Sequence, residues 1–219
     1  MRSSALFEVD GRTFLVDTPP ELRLQALAHG LRSIDAVFYT HYHADHTHGI
    51  DDLKAFNYAR GGVVECHGNE DTGDVLRANY AWAFAGTPFI GAIPHLTFTN
   101  VRQPFDLQGV RVTPIELEHG RIISTGWRIG DVAYLTDCSA ISGASMDLLR
   151  GVDTVVVDGV RLKPHPTHFS VQQAIEATRP LGARRTVITH MNHDIEFNAV
   201  TATLPPGVEL GYDGLTISL

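Results

Sequence analysis

Lysine is nearly absent from this 219-residue chain: Lys54 and Lys163 stand beside fifteen arginines, and the formal net charge is -8. No basic tail or stripe interrupts that balance, so a long nucleic acid is not an expected partner. Cysteine is as scarce. Cys66 and Cys138 are the only two, which argues against a disulfide-framed secreted fold. No apolar run approaches the roughly 20 residues needed to span a bilayer. Met1-Arg2-Ser3-Ser4 leads into a short alternating strand and not into a signal core. A cytoplasmic location and no membrane partner are therefore expected. Short-period repeats, low-complexity tracts and convincing linkers are lacking too, so 1–219 reads as a single domain. With 43% hydrophobic and 19% charged residues it has the balance of a soluble globular protein with a well-buried core.

Histidine, by contrast, is concentrated. Of twelve histidines, four fall between Thr40 and Gly49, in the string His41-Tyr42-His43-Ala44-Asp45-His46 and again at His48. The preceding Ala36-Val37-Phe38-Tyr39-Thr40 is short, apolar and rich in β-branched and aromatic residues, as a buried strand is. A strand ending in so many imidazoles cannot bury them unpaired. A metal is the economical explanation. Alternate residues of an extended segment share a face, so His41 and His43 converge on one ion. A following helical turn would swing Asp45 and His46 toward a second. Neutral imidazole with carboxylate suits zinc, manganese or iron.

Along the chain, Leu6–Val9 and Thr13–Val16 flank Asp10-Gly11, a hairpin signal. Thr18, Pro19 and Glu21 read as a capping box opening a helix that runs to a stop near Gly30. Further on, 51–60 and 71–78 read as helices, and 63–66 as a strand. The segment Asn79–Pro94 loses periodicity: Tyr80, Trp82, Phe84 and Phe89 mix with Gly86, Pro88, Gly91 and Pro94. A long loop is expected there, its aromatics serving as core filling or as a substrate-shaping lid. The second half reads as strands at 110–117, 124–129, 132–136, 154–157, 186–189 and 215–219. Helices are expected at 142–149 and 170–179, the latter opened by the capping box Ser170-x-x-Gln173. Strand-dense halves with interspersed helices predict an α/β fold, two sheets packed together with helices outside.

The pattern of a β-type run ending in a ligand recurs. Val112–Leu117 leads to His119, Val132–Thr136 to Asp137, and Arg185–Thr189 to His190. Strand ends along one edge of a layered fold meet in space although distant in sequence. The expected assignment gives His41, His43 and His119 to one ion and Asp45, His46 and His190 to the other, with Asp137 bridging. A water held between two such cations is a hydroxide near neutral pH. Asp17 and Asp158 follow apolar strands and could orient metal-bound imidazoles, although a turn or cap role competes. His48 is a candidate for orienting a ligand, and Cys138 for packing; His29, His67 and His95 stay unassigned.

The His-x-His-x-Asp-His string, followed in order by His119, Asp137 and His190, resembles the metallo-β-lactamase superfamily. His46-Thr47-His48-Gly49-Ile50-Asp51-Asp52-Leu53 and His165-Pro166-Thr167-His168-Phe169-Ser170 are similar to the branch related to phosphoribosyl 1,2-cyclic phosphate phosphodiesterase. So are Thr189-His190-Met191-Asn192-His193-Asp194 and Leu210-Gly211-Tyr212-Asp213-Gly214-Leu215. The resemblance implies an αββα sandwich of two mixed sheets, with two divalent cations, zinc first and manganese second. It also implies hydrolysis of small, including cyclic, phosphodiesters by a metal-bridging hydroxide. His168 resembles the general acid of that branch and, with Asp45 at the metals, makes up the catalytic set. Members usually begin with a further strand and often carry a separate structural zinc. This chain is expected to lack that strand or to be truncated, and no third metal at His193 is expected. A ribonuclease Z-like endonuclease, a thioester, lactone or lactam hydrolase, and a non-catalytic carrier are the competing readings. A small phosphodiester is the expected partner, and a homodimer is allowed.

Overall fold

A computed structural model describes residues 1–86 and 93–219. These cluster into two compact units, one of residues 1–104 with 108–110 and one of residues 105–107 with 111–219.

In the first unit, β1 (Ala5–Val9) and β2 (Arg12–Val16) form the expected hairpin. Asp10 and Gly11 take φ of 50° and 74°, the positive values that a tight two-residue turn demands. There follow α1 (Leu22–Ala28), β3 (Ala36–Phe38), α2 (Ala44–Thr47), a 3-10 turn at Ile50–Leu53, α3 (Lys54–Arg60) and β4 (Val64–Gly68). Then come α4 (Glu70–Asn79), a 3-10 turn at Ala81–Ala83 and β5 (Leu96–Asn100). Sheet order is β1-β2-β3-β4-β5, antiparallel at the first pair and parallel thereafter. Parallel strands are covered on both faces and so read as unbroken apolar runs, as the fully buried Ala36-Val37-Phe38 does. Leu15, Val37, Ile50, Leu53, Phe56 and Leu76 lead the core of this unit.

Two local expectations are corrected here. Thr18 is no helix cap: α1 begins only at Leu22, and Glu21 at its N-cap position makes no side-chain capping bond. The Thr18 hydroxyl is committed instead to the buried phenol of Tyr39 at 2.9 Å. Its backbone is also taken, donating to His46 O and accepting from Gly49 N–H. The third strand stops at Phe38, not Thr40, because the Thr40 amide donates to the Asp17 carboxylate at 2.8 Å and so leaves the ladder. The strand β5, parallel to β4, lies beyond the sequence reading. Of the expected lid, Pro88, Phe89 and Gly91 lie outside the described residues, Tyr80 and Phe84 pack against the core, and Trp82 is exposed.

The second unit runs β6 (Phe105–Leu107), β7 (Val110–His119), β8 (Ile122–Ile129), β9 (Val132–Leu135), β10 (Ala140–Ile141), α5 (Gly143–Leu148) and β11 (Thr154–Asp158). It closes with α6 (Val171–Thr178), β12 (Arg185–Thr189), α7 (Phe197–Thr201) and β13 (Val208–Leu210). Sheet order is β10-β7-β8-β9-β11-β12-β13, with β6 also on β7. Pairing is antiparallel from β10 to β9 and parallel from β9 onward. Two antiparallel steps restore direction, so β7 ends at the same edge as β9, β11 and β12. His119, Asp137, Asp158 and His190 therefore gather at one edge by topology alone. Ser170 caps α6 in the expected reciprocal box with Gln173. The apolar end 215–219 is not a strand; the place beside β12 is taken by Val208–Leu210, and Gly211 N–H extends that pairing to Ile188 O. No helix among the described residues is long and apolar enough to cross a membrane.

Replacing Thr18 by Val strips the Tyr39 phenol of its partner while keeping the side chain's shape. An unsatisfied buried hydroxyl costs about 1–3 kcal/mol, so Thr18→Val should lower the urea-unfolding free energy by that amount. The double variant Thr18→Val/Tyr39→Phe should recover part of it. Equal stability of all three proteins would show that the pair contributes nothing.

Candidate metal centre

The first unit supplies one cluster. β3 ends against Asp17, the chain stays extended to His43, and α2 then turns Asp45 and His46 back. His41 Nε2 and His43 Nδ1 lie 2.8 Å apart, so the two rings converge on one point. The His41 and His46 rings are 4.4 Å apart between centroids, and Asp45 Oδ2 lies 3.6 Å from His46 Nε2.

Buried Asp17 organises this group. It accepts from Thr40 N–H at 2.8 Å, Thr40 Oγ1–H at 2.9 Å and His46 Nδ1–H at 2.7 Å. Because the Thr40 hydroxyl donates to the carboxylate, toward His41 Nδ1 at 3.0 Å it can only accept. Both His41 and His46 thus carry a proton on Nδ1, and in the neutral ring Nε2 then offers its lone pair, the tautomer that a metal ligand needs. Burial pushes the Asp17 carboxyl above its ordinary range, opposed by His46 and by the Thr40 donors.

The second unit supplies the other cluster. His119 closes β7, Asp137 lies just past β9, and His190 follows β12. His119 Nδ1–H donates to Thr167 O at 2.7 Å; a carbonyl only accepts, so in the neutral ring Nε2 again holds the lone pair. The two oxygens of Asp137 face different rings. Oδ1 is 3.3 Å from His190 Nε2, and Oδ2 is 3.6 Å from His119 Nε2 and 3.8 Å from His168 Nε2. Donor atoms of Asp137, His168 and His190 lie within 4.8 Å of one another, close enough for a common cation. His168 Nδ1–H donates to Asp158 Oδ2 at 2.9 Å, while Asp158 Oδ1 accepts from Cys138 N–H at 3.1 Å. Burial, followed by the Asp137 charge, pushes the Asp158 carboxyl well up.

All eight candidate residues therefore fall into two groups: His41, His43, Asp45 and His46 in one unit, and His119, Asp137, His168 and His190 in the other. Asp17 and Asp158, which a turn role rivalled on sequence, both bond to imidazoles. Asp158 holds His168, however, and not a ring of the proposed ligand set. His48 does not orient a ligand: it is exposed, and among the described residues its ring contact is with Tyr80 at 6.5 Å. Cys138 is buried, its thiol on Ala140 O. Sequence reasoning overlooked Thr40 and Thr167, whose only signal is adjacency to His41 and His168. Neutral imidazoles with preset tautomers beside carboxylates form a donor set that fits zinc or manganese.

Comparison with known proteins bears on both fold and chemistry. The family model of the β-lactamase superfamily domain matches residues 12–191. The crystal structure of a diphosphatase from the PhnP family superposes with a TM-score of 0.90 at 37% identity, covering 100% of this chain and 84% of that one. The short form of human tRNase Z gives a TM-score of 0.75 at 21% identity over 99% of this chain and 92% of that one. An octanoyltransferase of Porphyromonas gingivalis is 33% identical over 98% of this chain but only 44% of its own length, so the chain spans less than half of that relative. A ribonuclease Z of a Mycobacterium species is 24% identical over 96% of this chain and 87% of its own.

Asp17→Asn keeps the size of the side chain but removes the charge that holds His46 and, through Thr40, His41. Loss of such a partner typically costs about 10–100-fold in metal affinity. Zinc competition with a chromophoric chelator should show a loss in that range while the far-ultraviolet circular dichroism is unchanged. Wild-type affinity in the variant would remove Asp17 from the centre.

Proposed function

The chain belongs to the β-lactamase superfamily and is a hydrolase with the metallo-β-lactamase fold, and from that premise we propose that it cleaves small phosphodiesters with two divalent cations. His41, His43 and His119 would hold one cation and Asp45, His46 and His190 the other, with Asp137 available to both. The two units thus act as a single hydrolase domain. Zinc is the favoured metal and manganese the alternative. The observation that carries the reading is Asp137: its two carboxylate oxygens are directed to two different imidazoles, His190 and His119. An anionic group so placed is what lowers the repulsion between adjacent cations.

Bound cations supply positive charge that polarises phosphoryl oxygens and acidifies water. The chain's own residues do the rest. Asp17, Thr40 and the Thr167 carbonyl hold the imidazole tautomers, so the ligand nitrogens need not reorganise on binding. His168 supplies the proton that the leaving alkoxide requires. Its Nδ1–H on Asp158 leaves Nε2 as the proton-bearing atom, 3.8 Å from Asp137 Oδ2 and thus beside the reacting centre. Asp158 fixes the direction of that ring through the Nδ1–H bond at 2.9 Å.

The diphosphatase relative supports phosphoryl chemistry. A ribonuclease Z-like activity is disfavoured by the net charge of -8, which repels a polyanion. Acyl esters are the other competing class, and acyl transfer by the whole octanoyltransferase is not carried over. A cytoplasmic enzyme acting on a small phosphodiester, without nucleic acid or membrane, fits these observations together.

Two measurements test the proposal. Metal-loaded protein, with stoichiometry determined in parallel, should turn over ribose cyclic phosphates and simple diesters in preference to precursor transfer RNA, thioesters and lactones. Chelation should abolish that turnover. Preference for an acyl ester or for transfer RNA would overturn the substrate class. His168→Ala should depress turnover of an alkyl diester by about 10²–10⁴-fold and largely spare an activated aryl ester, at unchanged metal content. Equal losses on both would exclude the acid role.

A further inference from the structure

The loop His165–His168 carries more than an acid. Thr167 has three backbone and side-chain polar groups, and each is engaged. Its carbonyl accepts from His119 Nδ1–H at 2.7 Å. Its amide lies 3.3 Å and its hydroxyl 3.1 Å from one and the same atom, Nδ1 of His165. A backbone amide can only donate, so that nitrogen must be unprotonated, the hydroxyl must donate as well, and the ring proton sits on Nε2. Partial burial and the cations Arg161 and His168 push the His165 pKa down, which favours the same neutral form.

The opposite face of Thr167 is equally constrained. Gly120 follows His119 at φ +64°, and a Cβ built there would lie 2.5 Å from Thr167 Cγ2. Only glycine lets the threonine methyl come so close to the candidate ligand's own chain neighbour. The loop is tied down at both ends. Arg161 donates to Lys163 O at 3.2 Å and to Pro164 O at 2.8 Å, while Phe169 N–H donates to Cys138 O at 2.6 Å. Between those ties, His165 is the group that holds the Thr167 backbone amide as well as its hydroxyl.

We infer that His165 is a positioning residue of the metal centre: by accepting both donors of Thr167 on Nδ1, it holds the Thr167 carbonyl on His119 Nδ1–H and so keeps His119 Nε2 in its ligating tautomer and direction. The inference rests on the ligand role proposed above for His119, but not on the substrate. The same loop presents His168, whose ring lies 5.2 Å from that of His165. A single hydrogen-bonded turn thus sets a metal ligand and the proposed acid together. This explains why two histidines three residues apart occur where one acid would suffice.

The test uses the purified full chain, stripped of metal and titrated with zinc or cobalt(II). Asparagine places its carbonyl oxygen near the position of Nδ1 and can accept the Thr167 donors; glutamine reaches toward the position of Nε2, and alanine offers no acceptor. His165→Asn should retain zinc affinity within about threefold. His165→Gln and His165→Ala should lose about tenfold, the lower end of what a ligand's supporting partner contributes. The cobalt ligand-field bands should shift in the alanine variant and stay put in the asparagine one. Thr167→Val, which keeps the shape but lacks the hydroxyl, should lose affinity where Thr167→Ser does not, and this pair stands in should the alanine variant fail to fold. Wild-type affinity in His165→Ala, or equal losses in asparagine and alanine variants, would overturn the inference. Wild-type protein that hydrolyses no phosphodiester while these affinities still divide would refute the proposed substrate and leave the positioning role standing.

Discussion

A buried carboxylate that ties a neighbouring strand's trailing amide to an imidazole is the interaction on which both clusters stand. Asp17 follows β2 and accepts the amide of Thr40, just past the parallel strand β3, together with His46. Asp158 ends β11 and accepts the amide of Cys138, just past the parallel strand β9, together with His168. Both units carry an aspartate directly after an apolar run, at Val16-Asp17 and Val157-Asp158, and they solve the same problem in the same way. Burying an uncompensated carboxylate costs several kcal/mol. Hydrogen bonds to a charged acceptor return about 1.5–3 kcal/mol each, so the three at Asp17 are of the size needed to keep it inside. Each carboxylate ends a strand pair and aims a ring with one set of bonds.

This division of labour explains how much of the molecule could be read in advance. The cluster His41–His46 was legible because a strand period of two passes into a helical turn within six residues, and β3 and α2 realise that switch. His119, Asp137 and His190 were legible as the ends of apolar runs, and the sheet order puts all three at one edge. The supporting groups were harder. An aspartate after a strand has the same sequence signature whether it caps a turn or grips an imidazole, so only the bonds at Asp17 and Asp158 separate the two. Thr167 had no signature, because its carbonyl, which every residue possesses, does the work.

Thr18 shows the opposite failure. Thr-Pro-x-Glu is a sound helix start by local chemistry, and Ser170-x-x-Gln173 elsewhere in the chain does what such a box should. The difference lies in what else competes for the hydroxyl. Ser170 is buried too, but its hydroxyl is engaged by Gln173 of its own helix, whereas Thr18 lies beside Tyr39 with both its backbone groups already tied to the turns around α2. A tertiary donor that would otherwise be left unpaired in the core outweighs a cap whose amides can reach water. Likewise, the apolar alternation at 215–219 counts for less than the hydrogen-bonding edge that β13 occupies beside β12.

Backbone strain is placed where the side chains matter. Asp17, Asp137 and His190 all take left-handed φ, at 63°, 46° and 57°, and each directly follows or nearly follows a parallel or core strand. A non-glycine residue in that region costs about 1–2 kcal/mol, although aspartate and histidine tolerate it better than most. The turn it makes bends the chain away from the sheet while leaving the side chain over the strand ends, which an extended residue would not do. A short carboxylate at such a corner can be held without freedom at either end. That rigidity is what lets Asp137 direct one oxygen to His190 and the other to His119. In each cluster the rings are thus held from behind by hydrogen bonds, His46 on Asp17 and His168 on Asp158.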